Sequence, residues 1–424
     1  MPDSLEDWLA YIERQHVKPV ALGLERVIRV KEALGLKQRV PVITVGGTNG
    51  KGSVCAMLER MLLCAGYRVG LYTSPHLLCY NERVRINGAS ASDAVLCGAF
   101  SRVEAARVDT PLTYFEFGTL AAWLVFEATA LDVVILEVGL GGRLDAVNVF
   151  DPDCAILTSI DIDHTEFLGD TREEIGREKA GILRPGRPAI VGDPAPPQSV
   201  VEHARSIGAK LRVSGRDFGV SVGNRNQWQY RGWSARRGGL AHPGLRGANQ
   251  LLNAAAALAA LESLCDSLPV SMNAIRRGLI EVELPGRFQV LPGRPTVVLD
   301  VAHNPQAAGV LAENLGNMGF HPVTWAVFGM LRDKDVEGVV KHVCSRVDRW
   351  LLASLEGPRG AQAAQLAEVM ERAGAGFALE LFDTPAQAFR VARERANEDD
   401  RIVVFGSFLT VADVMRFLVP RSRT

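Results

Sequence analysis

The sequence predicts an α/β protein of two domains, each built on a mainly parallel β-sheet. Short β-branched runs alternate with longer helical runs from Pro41 onward, which is the pattern of βαβ units. The length of 424 residues exceeds that of a typical single domain. Prolines and glycines interrupt the pattern over residues 284–295, and the alternation then restarts. We therefore predict domains at residues 1–288 and 289–424, the second being smaller and Rossmann-like.

The composition excludes several classes of protein. Lys and Arg total 47 against 48 Asp and Glu, so there is no excess positive field to hold a nucleic acid. The seven cysteines are scattered, which predicts a cytoplasmic protein with neither a zinc site nor a disulfide framework. The start of the chain has no signal-peptide pattern. The apolar stretch from Phe117 to Phe126 is much shorter than the roughly 20 residues of a membrane span, and it predicts a buried helix.

The first domain is predicted to begin its sheet near residue 40. Its predicted strands are Val40 to Val45, Arg68 to Tyr72, Leu131 to Val138, Cys154 to Ser159, and Ala189 to Val191. Its predicted helices include Ser53 to Ala65, Asn253 to Leu264, and Met272 to Ile280. The region from Leu211 to Pro243 is rich in Gly, Arg, Trp and Ser and weakly periodic, which predicts either antiparallel hairpins or an irregular excursion.

The second domain shows the same alternation of strands and helices. Its predicted strands are Thr296 to Val301, Thr324 to Phe328, Trp350 to Ala353, and Arg401 to Phe405. One of the helices between them is predicted over Gln362 to Ala373. This order again predicts a parallel sheet covered by helices.

A glycine-rich loop, Gly46-Gly-Thr-Asn-Gly-Lys-Gly-Ser53, leads from the first strand into a helix. Glycines let backbone N–H groups point at a phosphate, the helix N-terminus adds positive charge, and Lys51 neutralises the outer phosphates. The spacing departs from G-x-x-x-x-G-K-[ST], because Val45 stands where the first glycine is expected and Gly52 follows the lysine. The context predicts a phosphate-binding loop, with a plain glycine-rich turn as the alternative.

Polar residues follow several predicted strands. Glu137 ends an apolar strand at the edge where open α/β sheets bind ligands, although a charge there can also simply reach solvent. His164 follows the next strand, as a metal ligand or as a structural hydrogen-bonding residue. Lys179 lies late in a helix, where a basic residue ordinarily complements the helix dipole. Ser74 follows the second strand, and an ordinary turn serine is its alternative role.

A second glycine-rich segment, Gly139-Leu-Gly-Gly-Arg143, also follows a strand. Its third glycine is misplaced for a dinucleotide-binding fingerprint. We interpret it as a tight turn that presents Glu137 and Asp145.

Short motifs are spread over nearly the whole chain. They are Gly47-Thr-Asn-Gly-Lys-Gly-Ser53, Tyr72-Thr-Ser-Pro-His-Leu77, Asn81-Glu-Arg-Val-Arg85, Leu112-Thr-Tyr-Phe-Glu116, Leu136-Glu-Val-Gly-Leu-Gly-Gly-Arg-Leu-Asp-Ala146, Asp163-His-Thr165, Arg177-Glu-Lys-Ala-Gly181, Leu284-Pro-Gly-Arg-Phe288, Asp300-Val-Ala-His-Asn304 and Gly406-Ser407. In this order they resemble the folylpolyglutamate synthase and dihydrofolate synthase family of the Mur ligase superfamily. The stretches from Leu112 to Gly118 and from Leu22 to Arg26 resemble the dihydropteroate-binding elements of its bifunctional bacterial members.

The resemblance implies a P-loop Mur-ligase-like ATPase domain followed by the smaller α/β domain. It implies ATP-binding residues Thr48, Asn49, Gly50, Lys51, Gly52, Ser53, Asn253, Arg287 and Asp300. It also implies two Mg²⁺ sites, one held by Ser74 and Glu137 and the other by Glu137, His164 and Lys179. In the family that lysine is carbamylated, which turns a cation into the kind of oxygen ligand that Mg²⁺ prefers. The implied catalytic residues are Lys51, Glu137, His164 and Lys179.

The resemblance also implies where the substrates bind. The implied pterin-binding residues are Thr113, Tyr114, Phe115, Glu116, Leu144, Asp145 and Ala146. Glutamate is implied to bind at His303, Asn304 and Ser407. Two positions depart from the family pattern, because Ala21 stands where bifunctional relatives commonly carry an acid and Gly46 replaces the usual small residue before the loop. The first departure bears on pterin specificity, and neither affects the ATP chemistry.

The activity implied is ATP-dependent ligation of L-glutamate to dihydropteroate and to tetrahydrofolate through an acyl phosphate. The expected partners are these small molecules, with no nucleic acid or membrane, and the expected state is a monomer. One alternative is a folylpolyglutamate synthase without dihydrofolate synthase activity. A Mur-type ligase of a nucleotide-linked peptide is disfavoured by the Thr-Tyr-Phe-Glu116 segment. A non-catalytic ATP-binding module is disfavoured by the intact set of catalytic residues.

Overall fold

The computed structural model describes residues 2–16, 21–223, 227–247, 249–372 and 378–418. The chain divides into two compact units, one of residues 1–244 and 250–282 and the other of residues 245–249 and 283–424. The second unit thus includes the short segment of residues 245–249, although the chain then returns to the first unit for residues 250–282. The domain boundary after residue 288 stays a prediction.

The first unit contains an eight-stranded sheet. Its strands are β1 Val42–Gly46, β2 Val69–Tyr72, β3 Val84–Ile86, β4 Ala89–Ser90, β5 Val133–Glu137, β6 Cys154–Leu157, β7 Pro188–Val191 and β8 Lys210–Val213. The strand order is β4-β3-β2-β5-β1-β6-β7-β8. The six strands from β2 to β8 in this order pair in parallel, and β3 and β4 add an antiparallel edge. The predicted mainly parallel sheet is confirmed.

The helices of the first unit lie before, between and after these strands. They are α1 Leu5–Glu13, α2 Glu25–Ala33, α3 Lys51–Cys64, α4 Asp93–Arg107, α5 Tyr114–Glu127, α6 Thr165–Leu168, α7 Arg172–Ala180, α8 Gln198–Ser206, α9 Asn249–Ser263 and α10 Met272–Glu281. Helix α5 is buried throughout residues 117–126, as its apolar sequence predicts. Trp123 of α5 stacks on Phe150 with ring centroids 3.7 Å apart, which fixes the helix against the core.

Two predicted regions of the first unit differ in detail. Strand β6 ends at Leu157 rather than Ser159, because Thr158 and Ser159 turn to bond the loop after β1. Leu211 belongs to β8, and the following residues form a separate antiparallel sheet, in accord with the hairpin alternative. The strands of that sheet are β9 Gly219–Val222, β10 Gln227–Arg231 and β11 Arg236–Ala241.

The second unit contains a six-stranded sheet. Its strands are β12 Gln289–Leu291, β13 Thr296–Leu299, β14 Thr324–Phe328, β15 Arg349–Ala353, β16 Ala378–Phe382 and β17 Arg401–Phe405. The order is β12-β13-β17-β14-β15-β16, with only β12 antiparallel to its neighbour. The smaller α/β domain is thereby confirmed.

Five helices accompany the six-stranded sheet within the described ranges. They are α11 Pro305–Asn317, α12 Val336–Val343, α13 Ala363–Arg372, α14 Pro385–Arg395 and α15 Phe408–Leu418. The predicted end of the α13 region, Ala373, lies outside the described residues. Phe328, Trp350 and Phe405 are fully buried and pack against one another at the centre of this unit. Across the described part of the chain, no helix is long and apolar enough to cross a membrane.

Candidate active site

The glycine-rich loop lies between β1 and the first turn of α3. Gly47 and Gly50 have φ values of 138° and 91°, a region that residues with a Cβ atom rarely adopt. The Thr48 backbone N–H donates to the Ser159 carbonyl at 2.6 Å, and the Thr48 hydroxyl donates to the Asp161 carbonyl at 3.0 Å. The segment that follows β6 therefore holds the loop in place.

Asn253 lies directly beside this loop. A Cβ atom built on Gly50 would lie 2.6 Å from Asn253 Oδ1. Asn253 is 9% exposed on α9, and its amide nitrogen donates to Gln250 Oε1 at 3.0 Å. The structure thus brings the implied nucleotide residue Asn253 to the loop, although nearly the whole first unit separates them in sequence.

Lys51 and Lys179 donate to the same oxygen. Lys51 Nζ lies 3.2 Å and Lys179 Nζ 2.9 Å from the Gly47 carbonyl. Lys179 is 4% exposed, and burial lowers its pKa to about 7, helped by the charge of Lys51 and opposed by Asp163 and Asp145. Such a lysine is poorly suited to the dipole-complementing role of an ordinary helical cation.

Glu137 is buried at the end of β5, next to the strand that leads into the loop. Val45 and Glu137 are register partners, and the Glu137 side chain is 5% exposed. The Ser74 backbone N–H donates to Glu137 Oε2 at 3.1 Å. The alternative in which this carboxylate reaches solvent is therefore wrong. Burial of a carboxylate favours a nearby cation or donor.

The chemistry of the side chains at this sheet edge fits a divalent metal. Among the residues that the structure describes, no three His, Cys, Asp or Glu side chains form a metal-binding group. The two implied Mg²⁺ sites therefore need ligands of other kinds, the Ser74 hydroxyl and Lys179, in addition to Glu137 and His164. A cationic Lys179 would repel the metal, whereas a carbamate would offer the oxygen that Mg²⁺ prefers.

His164 lies in the loop that connects β6 to α6. It adopts a left-handed conformation with φ 53°, and its backbone N–H donates to Asp163 Oδ1 at 2.8 Å. The imidazole is 36% exposed, and its Nε2 lies 3.9 Å from Asp163 Oδ2. The charge of this carboxylate also raises the pKa of Lys179, against the larger effect of burial.

The turn after Glu137 is closed by Asp145. Asp145 Oδ2 accepts from the backbone N–H groups of Gly139 and Leu140 at 3.0 and 2.8 Å, and Oδ1 accepts from Val147 at 3.0 Å. Burial raises the pKa of Asp145 to about 6 against these three donors. Leu144 beside it is half-buried, and Ala146 is buried at the start of a short 3₁₀ helix. The Asp145 carboxylate thus organises the turn.

The implied pterin segment begins α5 through a capping box. Thr113 Oγ1 accepts from the Glu116 backbone N–H at 3.3 Å, and Glu116 Oε2 accepts from the Thr113 N–H at 2.7 Å. Buried Glu116 also pairs with Arg26 at 2.8 Å. Arg26 donates in addition to the Ala21 carbonyl at 2.8 Å. The backbone of Ala21 is therefore tied to the segment, and any residue at position 21 offers that carbonyl.

The rings of this segment lie over the turn that follows β5. A Cβ atom on Gly139 would lie 2.8 Å from the Phe115 ring, so only glycine permits this approach. Phe115 also packs against Tyr72, with centroids 5.7 Å apart. Tyr114 is half-buried beside it. The Phe115 ring thus connects the implied pterin segment to the turn after Glu137.

A second group of implied residues gathers within the second unit. Asp300 follows β13, and its carboxylate accepts from the backbone N–H groups of Phe288 at 2.8 Å and Ala302 at 2.7 Å. Burial raises the pKa of Asp300, while Arg287 lowers it. The Arg287 guanidinium lies 4.9 Å from the Phe408 ring centroid.

The implied glutamate residues lie at the same edge of the six-stranded sheet. The His303 ring lies 6.1 Å from that of Phe408, the residue after Ser407. Asn304 and Ser407 are 3% and 4% exposed, and their side-chain oxygens accept from backbone N–H groups at the starts of α11 and α15. Strands β13 and β17 are parallel neighbours, which explains why residues far apart in sequence meet here.

Sequence reasoning missed four residues that shape the site. They are Arg26, Thr158, Ser159 and Asp163. The sequence predicts a strand through Thr158 and Ser159, although two polar residues at the end of an apolar strand are a signal for a loop contact. Arg26 and Asp163 each lie inside a recognised motif, but their partners could not be read from spacing.

Two family models match the chain. The Mur ligase middle domain matches residues 45–261, and the Mur ligase glutamate ligase domain matches residues 286–408. The first match lies mainly in the first compact unit and the second match in the second unit.

Full-length relatives give the same result. The chain is 47% identical to "Dihydrofolate synthase/folylpolyglutamate synthase" of Escherichia coli K12, over 98% of this chain and 96% of that protein. The solved structure of E. coli FolC in complex with DHPP and ADP is 46% identical, with TM-score 0.94 and 100% of both chains covered. A bifunctional folylpolyglutamate synthase/dihydrofolate synthase with Mn, AMPPNP and L-glutamate bound is 48% identical, with TM-score 0.90 and 98% of each chain covered. The chain belongs to the dihydrofolate synthase/folylpolyglutamate synthase family of Mur ligases.

Proposed function

We propose that this chain is an ATP-dependent ligase that joins L-glutamate to dihydropteroate, forming dihydrofolate, and to tetrahydrofolate, forming folylpolyglutamates. The observation that carries the proposal is the buried edge where β1 and β5 end. There the glycine-rich loop, Lys51, Glu137 and Lys179 come together. The full-length relatives, solved with a nucleotide, a metal ion and glutamate, support the same activity.

The chemistry has to overcome the poor reactivity of a carboxylate toward an amine. A carboxylate oxygen attacks the γ-phosphorus of ATP, ADP leaves, and an acyl phosphate results. The amine of glutamate then attacks the acyl carbon, and phosphate leaves with the former carboxylate oxygen. The chain positions the reactants and neutralises charge, with Lys51 and the α3 N-terminus at the phosphates. Bound Mg²⁺ supplies further neutralisation of the phosphate oxygens.

We also propose two Mg²⁺ sites, one at Ser74 and Glu137 and the other at Glu137, His164 and a carbamylated Lys179. In that modification the neutral amine attacks CO₂, a proton leaves, and the nitrogen carries a carboxylate. Burial of Lys179 beside Lys51 supports it, because two ammonium groups near one carbonyl repel each other. The product carbamate removes this repulsion and adds a negative ligand.

We propose that residues 1–288 bind ATP and the pterin substrate and that residues 289–424 receive glutamate. The position of the glutamate ligase family match supports the second assignment. His303, Asn304 and Ser407 are the residues we assign to glutamate, and Arg287, Asp300 and Asn253 those we assign to the nucleotide. The assigned pterin residues remain Thr113 to Glu116 and Leu144 to Ala146.

The experiment that tests the activity is ADP release from ATP, magnesium and glutamate, with dihydropteroate or tetrahydrofolate as the acceptor. Release with both acceptors is the expected result. Release with tetrahydrofolate alone would reduce the activity to folylpolyglutamate synthesis and direct attention to Ala21. No release with either acceptor would overturn the proposal.

A monomeric state and a cytoplasmic location remain proposals. Family resemblance supports the monomer, and the odd number of scattered cysteines supports a reducing compartment. Sedimentation velocity of the purified protein checks the first, with one species near the 45.9 kDa chain mass expected.

A further inference from the structure

Arg83 lies in an aromatic cluster that shares only Tyr114 with the assigned site. The cluster consists of His76, Tyr80, Arg83 and Tyr114, and we call it the arginine cluster. The Arg83 guanidinium carbon lies 5.4 Å from the ring centroids of both Tyr80 and Tyr114. Arg83 Nε donates to His76 Nδ1 at 2.8 Å, so that ring nitrogen must be unprotonated. Two rings and one hydrogen bond therefore hold the guanidinium in place.

The guanidinium of Arg83 has unused donors. Within the ranges that the structure describes, no carboxylate pairs with it, and the contact with His76 is its only side-chain hydrogen bond. The side chain is half-buried, so its charge is only partly hydrated. Both terminal nitrogens remain available, and a fixed guanidinium with free donors is suited to binding a carboxylate in a bidentate manner.

The arginine cluster lies between two parts of the assigned site. On one side, the Thr73 backbone N–H donates to the Arg83 carbonyl at 2.9 Å, and the next residue, Ser74, donates to Glu137. On the other side, Tyr114 precedes Phe115, whose ring lies over Gly139. Arg83 is thus linked to the neighbour of a residue assigned to a metal and packs on a residue assigned to the pterin. The acidic end of an acceptor that reaches from the pterin residues to the metal residues would pass near these two groups.

The two acceptors differ in charge at that end. Dihydropteroate carries one carboxylate, and it is the group that reacts. Tetrahydrofolate ends in a glutamate, so it carries a second carboxylate that does not react. Removing this extra charge from water is costly unless a cation meets it.

We propose that Arg83 binds the α-carboxylate of the terminal glutamate of a folate acceptor and thereby favours tetrahydrofolate as a substrate. The inference rests on the proposed function. Binding of Arg83 to the reacting carboxylate is disfavoured, because a guanidinium withdraws electron density from the oxygen that must attack phosphorus. The non-reacting carboxylate carries no such conflict, and its binding contributes to affinity and orientation.

The test compares acceptors with and without the α-carboxylate. An analogue of tetrahydrofolate whose terminal glutamate is replaced by γ-aminobutyrate keeps the γ-carboxylate and lacks the α-carboxylate. Wild type and Arg83→Gln are assayed by ADP release with tetrahydrofolate, this analogue and dihydropteroate. Arg102→Gln, an exposed arginine on α4, is the control for loss of one positive charge.

We expect Arg83→Gln to lower kcat/KM for tetrahydrofolate on the order of 10- to 100-fold, mainly through KM. The loss with the analogue and with dihydropteroate is expected to be at least tenfold smaller, since neither offers the α-carboxylate. Arg83→Lys, which keeps the charge without the planar fork, should lose less and serves as the test if the glutamine variant does not fold.

Three outcomes would overturn the proposal. One is an equal loss with all three acceptors, which would make Arg83 a structural residue or part of the shared reaction. Another is no loss with tetrahydrofolate in either variant. The third is use of the analogue by wild type with the same kcat/KM as tetrahydrofolate, which would show that the α-carboxylate contributes nothing for Arg83 to bind. Failure of wild type with both natural acceptors would instead contradict the proposed function.

Discussion

Lys179 is a lysine in surroundings that disfavour an ammonium ion. It is 4% exposed, and its Nζ shares the Gly47 carbonyl with Lys51. Burial lowers its pKa to about 7, so a large fraction of the side chain is the neutral amine at physiological pH. A neutral, enclosed amine is the form that reacts with CO₂. The same surroundings would make an unmodified cation a poor neighbour for Mg²⁺.

We expect Lys179→Ala to abolish nearly all turnover, because the substitution removes the proposed carbamate ligand. Acetate or formate should restore part of the activity by supplying a carboxylate in the space left by the side chain. Arg177→Ala, which removes an exposed charge from the same helix, is the control and should retain activity. The measurement is the rate of ADP release against carboxylate concentration. Full activity of Lys179→Ala without added carboxylate would remove the carbamate from the mechanism.

At the scale of elements, α3 is flanked by two glycines with nearly identical φ angles. Gly50 begins the helix with φ 91°, and Gly66 follows it with φ 92°. The surroundings differ, because a Cβ atom at Gly50 would lie 2.6 Å from Asn253 Oδ1 whereas one at Gly66 would meet nothing within 4 Å. A comparison of the two glycines therefore distinguishes the effect of backbone strain, which both share, from the effect of contact with the site, which only Gly50 has.

Substitution of each glycine by alanine should reveal this difference. Both variants should lose about 1 kcal/mol of unfolding free energy, because alanine is strained at positive φ. Only Gly50→Ala should in addition weaken ATP binding, by on the order of tenfold or more, since the new methyl group displaces Asn253 and the loop. Isothermal calorimetry with ATP and magnesium measures the affinity, and equal affinities in the two variants would contradict the assigned role of the loop.

At the scale of the whole molecule, each compact unit has a hydrophobic core of its own among the described residues. The core of the first unit includes Trp123 and Phe150, and that of the second includes Phe328 and Trp350. Charged side chains are also buried in the first unit, among them Asp145 and Glu137. The stability of the molecule therefore depends on pH as well as on apolar burial.

The raised pKa of Asp145 predicts how its contribution to the free energy of unfolding changes with pH. Its pKa is about 6 in the folded chain against 3.8 for the ordinary group, so the folded state binds more protons between these values. The contribution of Asp145 to stability is complete below pH about 4 and is lost as pH rises to about 6, on the order of 3 kcal/mol. Urea unfolding across this range should show a smaller decline in Asp145→Asn than in wild type. Asp109→Asn, an exposed control, should match wild type, and identical slopes in all three proteins would contradict the assignment.

The local chain pattern was sufficient to predict the two α/β sheets, the glycine-rich loop and the ligand-binding edge at Glu137. Periodicity, glycine placement and strand ends are local properties, so neighbouring residues report them directly. Family motifs added the nucleotide, metal and substrate residues, whose roles stay proposals. Strand ends were predicted less well, because Thr158 leaves β6 to bond a loop far away in sequence.

Only the tertiary structure decided which distant side chains meet. It brought Lys179 to Gly47 across 132 positions of sequence, paired Arg26 with Glu116, and placed Asn253 beside Gly50. It also joined β8 to the main sheet and assigned residues 245–249 to the second unit. These contacts depend on how the elements pack, and the burial that shifts the pKa of Lys179 exists only once the surrounding strands and helices exclude water.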